Sequence, residues 1–129
     1  MQFGKPGGVV QNADGGSGSG GAFTLLWENP NPGSSFAAQP ISVDLTDYDL
    51  FAVIVRFSTG SDLDLPMEFF DKTSRQKTLT ITSATSNRNG ERYISYNAET
   101  KVITFGGASY NSSSNNNYVL PQKIFGVKF

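Results

Sequence analysis

The chain has no cysteine and no histidine. The first absence excludes disulfides, thiolate nucleophiles and Cys-ligated zinc, so stability must come from packing and sheet hydrogen bonds. The second removes the commonest general base and the commonest transition-metal ligand, and triad and zinc chemistry go with them. Apart from the terminal amine, nothing with an ordinary pKa titrates between about pH 5.5 and 8, so any binding is expected to be flat across that window. An excess of one charge is also missing: 10 Lys and Arg are interspersed with 11 Asp and Glu, for a net charge of −1. That leaves no electrostatic footprint for nucleic acid or anionic lipid, and neither is an expected partner. No run of 18 apolar residues occurs, and residues 1–21 carry neither a basic segment nor an apolar signal core. The expectation is a soluble protein, made in a cytoplasm and not exported by a classical signal.

What is present is 129 residues, one domain's worth, enough to bury roughly two thirds of the unfolded surface. The hydrophobic fraction of 37% is low, but the shortfall is concentrated in Gly, Ser and Asn clusters. Residues 1–21 hold eight of the fourteen glycines and only Phe3, Val9 and Val10 as sizeable apolar groups. Such a stretch cannot offset its ordering entropy by burial, so it is expected to be a flexible arm or linker ahead of a domain at 22–129.

That domain is organised around residues 43–59. From Leu50 to Val55 every residue is apolar, and so short a run reads as a strand covered on both faces. Phe51, Val53, Val55 and Phe57 share one face, and Leu50, Ala52, Ile54 and Arg56 the other. A two-sheet sandwich buries only one of these, so the second is expected beneath a connection, another subunit, or both. Upstream, Phe23-Thr24-Leu25-Leu26-Trp27-Glu28 is a strand stopped by Asn29-Pro30-Asn31-Pro32-Gly33, whose prolines withdraw ladder donors. The small residues of Phe36-Ala37-Ala38-Gln39-Pro40 suggest close packing against another backbone. Ile41, Val43 and Leu45 alternate with Ser42, Asp44 and Thr46, as in a strand with one buried face.

Downstream, Leu63, Leu65, Met67 and Phe69 repeat at period two, and Pro66 places that strand at an edge. Residues 78–82 are β-branched and half polar. Asn89-Gly90 reads as a hairpin turn before a strand over 91–97, and 97–100 turns into a strand over 101–105 to form a second hairpin. The polar run 111–117 is expected to be a surface loop. Residues 122–129 close the fold with Phe125, Val127 and Phe129 on one face. About eight short strands at roughly ten-residue spacing, without any helical period, indicate an all-β antiparallel sandwich of jelly-roll type. A closed barrel is the alternative.

Three stretches together resemble a small domain of bacteriophages and prophages of Gram-positive gut bacteria, found in virion fibre and tail-associated proteins. They are Leu26-Trp27-Glu28-Asn29-Pro30-Asn31-Pro32 with Phe36-Ala37-Ala38-Gln39, then Val43-Asp44-Leu45-Thr46-Asp47-Tyr48-Asp49, and finally Asn116-Asn117-Tyr118-Val119-Leu120-Pro121 with Lys123-Ile124-Phe125-Gly126-Val127-Lys128. The resemblance implies a fibre-tip or virion-surface domain, usually a homotrimer, whose partner is a host-surface glycan or another virion protein. The alternative is a structural virion component, a head fibre, decoration or collar protein, that docks through its N-terminal arm. No catalytic signature lies within these strings.

The best binding candidate is the loop from Tyr110 to Tyr118, with Asn111, Asn115, Asn116 and Asn117. Asn amides donate and accept at once, matching sugar hydroxyls, and tyrosine rings stack on sugar faces. The bland alternative is a solvated connection. Trp27, beside Asn29 and Asn31, is either a core plug or a second stacking platform. Asp44, Asp47, Asp49, Asp62 and Asp64 could gather calcium, but their spacing is not that of an EF-hand and Asp is a default turn residue. Glu28, Glu68 and Glu91 are the carboxylates a glycosidase would need. Arg56 reads as a rim residue pairing with Asp, or as a lid over a subunit interface. No catalytic residue, metal or cofactor is expected.

Overall fold

A computed structural model of the chain describes residues 22–60, 66–83 and 88–129. The arm expected at 1–21 lies outside these residues, as do Leu63, Leu65, Asp62 and Asp64. Within the described residues there are nine strands: β1 (Ala22–Glu28), β2 (Gln39–Ser42), β3 (Leu50–Ser58), β4 (Met67–Phe70), β5 (Lys77–Ser83), β6 (Arg88–Asn97), β7 (Val102–Tyr110), β8 (Ser113–Ser114) and β9 (Tyr118–Lys128). They form two antiparallel sheets. One runs β1-β9-β3-β4, the other β2-β7-β6-β5, with the short β8 also paired to β7.

The first strand pairs with the last and β2 pairs with β7, the nested pairing that makes a sandwich jelly-roll-like. Sequence neighbours β3–β4 and β5–β6–β7 pair directly. Among the described residues both sheets keep open edges, which is a sandwich and not a closed barrel.

Strand β3 lies between β9 and β4, and its inner face is sealed: Phe51, Val53 and Val55 are wholly buried. They join Leu45, Leu79, Ile94, Ile103, Phe105 and Ile124 in one core between the sheets. Each such side chain contributes roughly 1.5–3 kcal/mol by leaving water. Phe51 stacks on Phe70 at 5.4 Å and meets Tyr96 at 6.1 Å.

The outer face of β3 only partly meets the expectation of double cover. Ala52 is wholly buried, whereas Leu50, Ile54 and Arg56 are half-buried. Registry places Leu25, Phe125, Ala52 and Phe69 in one row across all four strands of this sheet. Phe23 leans over the row, 5.8 Å from Phe69 and 6.2 Å from Phe125. Phe23, Leu25 and Phe69 remain 50%, 46% and 54% exposed.

Pro66 precedes β4, which is an edge strand as expected, and its carbonyl accepts the Val55 N–H at 3.0 Å. Registry with Val53 turns Glu68 toward the sandwich interior, where its Oε2 accepts the Thr80 N–H of β5 at 2.9 Å. An inward carboxylate here joins the edges of the two sheets and blunts them against further pairing.

Three local expectations are corrected. Asn89-Gly90 is not a turn but part of β6, paired with Thr82 and Ile81. Gly90 serves close packing instead, because a Cβ there would lie 3.0 Å from Val119 Cγ2 and 3.7 Å from Phe57. Ala37 and Ala38 are exposed rather than packed against backbone; Phe36 alone of that connector is buried among core residues. The alternating strand over 41–46 ends at Ser42, and Val43 and Leu45 stay buried in irregular chain held by the Val43 N–H to Lys101 O bond.

The hairpin at Asn97 is as expected. Asn97 Oδ1 accepts the N–H groups of Glu99 and Thr100, and Lys101 closes the turn at φ 57°.

A candidate saccharide groove on the five-stranded sheet

Among the described residues a groove of about 510 Å³ is lined by Glu91, Arg92, Tyr93, Gly107, Ala108, Ser109, Ser114, Asn115 and Asn116. Local chemistry builds it in three steps. Glu91, Ser109 and Ser114 stand opposite one another across β6, β7 and β8. Asn111 and Ser112, at φ 48° and 73°, make the two-residue turn with both positions left-handed that joins β7 to β8. Asn111 Oδ1 accepts the Asn89 N–H while the Asn111 N–H donates to Asn89 O, locking that turn to β6.

After β8 the chain stays against β7. The Asn115 N–H donates to Ala108 O at 2.9 Å, and Asn116 Oδ1 accepts the Ala108 N–H at 3.0 Å. Both wall residues are thereby fixed, and Asn116 O is anchored further by the Phe36 N–H and the Ser35 hydroxyl. The carbonyl ends of these asparagines are engaged in the fold: Asn115 Oδ1 takes the Asn117 N–H. No described residue accepts from the amide nitrogens of Asn115 and Asn116, which remain as donors.

The floor is shallow because β7 carries Gly106-Gly107-Ala108. Tyr93 lies against Gly106, where a Cβ would come within 3.2 Å of its own, and the residue is 48% exposed. Among the described residues the groove is therefore lined by one half-exposed tyrosine, two asparagines, two serines and one glutamate.

Beneath it Arg92 is 1% exposed, a charge inside the sandwich. Its Nε–H donates to Val119 O at 2.8 Å, and its terminal nitrogens donate to Gly106 O at 2.7 Å and Tyr118 O at 3.2 Å. The guanidinium also sits 5.1 Å from the Phe36 ring centre. Burial pushes its pKa down to about 10. The contacts tie β6 and β7 to the start of β9, where Val119 is held at φ 51°, a conformation costly for a β-branched residue.

The nine ligand-binding residues expected from the sequence are dispersed. Asn115 and Asn116 line the groove. Trp27 is half-buried against Phe36 at 6.2 Å and Phe105 at 6.3 Å, a core position. Asn29 is buried, its Nδ2 donating to Pro121 O and its Oδ1 accepting the Asn31 N–H. Asn31 is exposed in the Asn-Pro-Asn-Pro turn and accepts the Ser34 N–H. Tyr110 and Tyr118 stack on each other at 4.0 Å with Phe57 at the edge of both, so these rings are occupied with one another. Asn117, exposed, accepts the Thr59 N–H through its carbonyl.

The sequence reading missed Tyr93 and Arg92. Period-two parity in Glu91-Arg92-Tyr93-Ile94 carries the signal for both, placing Tyr93 outward, but it demands an inward arginine.

The other weighed residues have structural partners. The Thr46 side chain, and after it the Thr46 N–H that Asp44 Oδ1 accepts at 2.9 Å, hold the Asp44 carboxyl below the ordinary range, with Lys101 adding at 3.4 Å. Asp71 is lowered further, by the Thr73 hydroxyl and N–H and by Lys77 at 3.1 Å. Among the described residues no three metal-ligating side chains gather. Glu28 pairs with Lys123 at 3.8 Å and Glu68 accepts the Thr80 N–H, and neither lines the groove with Glu91; burial raises the Glu68 pKa. Arg56 turns back on its own strand, donating to Ser58 O and Thr59 O. Compared with protein-family models, curated proteins and solved structures, the chain matches none.

Proposed function

We propose that this chain is a non-enzymatic β-sandwich domain of a phage virion, a fibre or tail-tip module that grips a host-surface glycan, and that it works as a homotrimer. The observation that carries the glycan reading is the groove. An open tyrosine face beside amide donors, hydroxyls and a carboxylate is the chemistry a pyranose needs, with an apolar C–H face to stack and a rim of hydroxyls to bond. The virion assignment rests on the resemblance of the first, second and closing stretches of the domain. Among the described residues the groove presents one carboxylate, whereas sugar hydrolysis by the common route uses two flanking the scissile bond.

A glycan array read with the wild-type chain and with Tyr93→Ala tests the reading. Binding to a defined set of glycans, lost in the variant at an unchanged melting temperature, supports it; a wild-type chain that binds no glycan removes it. The trimer is supported by the apolar row on the four-stranded sheet, where Phe23, Leu25 and Phe69 face water in the isolated protomer. Sedimentation equilibrium of the wild type and of Phe69→Glu addresses it separately. A trimer mass that falls to a monomer mass in the variant supports that face, and a monomeric wild type removes the trimer while leaving the glycan reading in place.

A further inference from the structure

The charge of the groove selects among saccharides. Among the described residues Glu91 is the one carboxylate that lines it, and no lysine does. Arg92 also lines it, but it is almost wholly buried and all three of its nitrogens point at backbone carbonyls. Its charge is thus engaged below the floor, and among the described residues no cationic head stands in the groove to receive an acid. The remaining polar groups are suited to hydroxyls: the amide nitrogens of Asn115 and Asn116 and the hydroxyls of Ser109 and Ser114.

A neutral polyol can donate an O–H to the Glu91 carboxylate, and such charge-assisted bonds are the strong ones. A carboxylated, sulfated or phosphorylated sugar instead brings like charge beside Glu91 with nothing to neutralise it, which is the repulsive element of a selective site. Resting on the reading of the groove as a saccharide site, we infer that its ligand is an uncharged, hydroxyl-rich saccharide and that Glu91 is the specificity-determining residue that turns acidic sugars away.

Matched pairs of oligosaccharides, each a neutral hexose oligomer and the same oligomer oxidised to its uronate form, test this by calorimetry on the full chain with wild type and Glu91→Gln. The wild type is expected to bind the neutral member about tenfold or more tightly than the acidic one. That gap should widen at low salt, where screening is weaker. In Glu91→Gln the neutral member should bind several-fold more weakly and the gap should close. A wild type that binds the acidic member as tightly as the neutral one, or a gap that survives in Glu91→Gln, overturns the inference and leaves the saccharide site standing. Failure of both members to bind overturns the site and the inference together.

Discussion

Replacing Arg92 by methionine keeps an unbranched side chain in the sandwich and removes all five of its N–H donors. Val119 O, Gly106 O and Tyr118 O then lose donors that now stand at 2.8, 2.7 and 3.2 Å. At about 2 kcal/mol for each orphaned carbonyl, the loss is about 6 kcal/mol, and less for the two that keep some contact with water. The contact with Phe36 adds about 1 kcal/mol. Against this, methionine has no guanidinium to desolvate. The depression of the Arg92 pKa from 12.5 to about 10 puts that relief at about 3 kcal/mol. The net expectation is a destabilisation of about 3 kcal/mol, a large part of the margin of a small domain.

In urea, with a slope of about 2 kcal/mol per molar, the midpoint should fall by about 1.5 M at an unchanged slope. Arg92→Lys should lose most of this too, because one ammonium cannot reproduce a fork reaching carbonyls on two strands. A midpoint that moves by less than about 0.5 M, or rises as it does when some buried ions are replaced by apolar groups, would refute the clamp.

Gly126→Ala should destabilise by about 2–3 kcal/mol, since its Cβ would meet Tyr48 Cγ at 2.6 Å, and thermal melting should show most of that loss regained in the Gly126→Ala, Tyr48→Ala double variant. For Glu68, burial raises the pKa above its unfolded value, so the ionised side chain is a cost at neutral pH that fades as pH falls through the raised pKa and is gone below the ordinary one. Glu68→Gln, which can still accept the Thr80 N–H, should melt no lower than wild type at pH 7 and converge with it near about pH 4; a lower melting point at pH 7 would contradict this. Asp71 has the opposite sign: its pKa is depressed by Thr73 and Lys77, so its contribution is present above the ordinary carboxylate pKa and is lost as pH falls through the folded one. Asp71→Asn should flatten the acid limb of a melting-versus-pH curve, and an unchanged limb would count against it.

Much of the fold was legible because it is local. Alternation in Phe51, Val53 and Val55 specifies an inner face wherever it sits, Pro66 can only border an edge strand, and Asn97 caps its own turn. What was not legible depends on residues that meet only after folding. Asn89-Gly90 looks like a turn until Val119 and Phe57 arrive at Gly90 from other strands, and then closeness of packing, not chain reversal, explains the glycine. Arg92 contradicts the rule that charges stay outside, and only the carbonyls freed at the irregular start of β9 make its burial affordable. The groove needs β6, β7 and β8 in register, which no stretch of sequence states. Asn115 and Asn116 line that groove, and the polar run that holds them was legible from composition, whereas its place beside β7 was not. Tyr110 and Tyr118 stack on each other, a pairing between two tyrosines eight residues apart that composition does not state.

The most direct test of the groove is a titration of the ¹⁵N-labelled chain with the tightest glycan from the array, followed residue by residue. The expected result is a set of shifts confined to Glu91, Tyr93, Gly106, Gly107, Ser109, Ser114, Asn115 and Asn116. Shifts centred instead on Phe23, Leu25 and Phe69, or on Tyr110 and Tyr118 with Tyr93 and Gly107 silent, would contradict it.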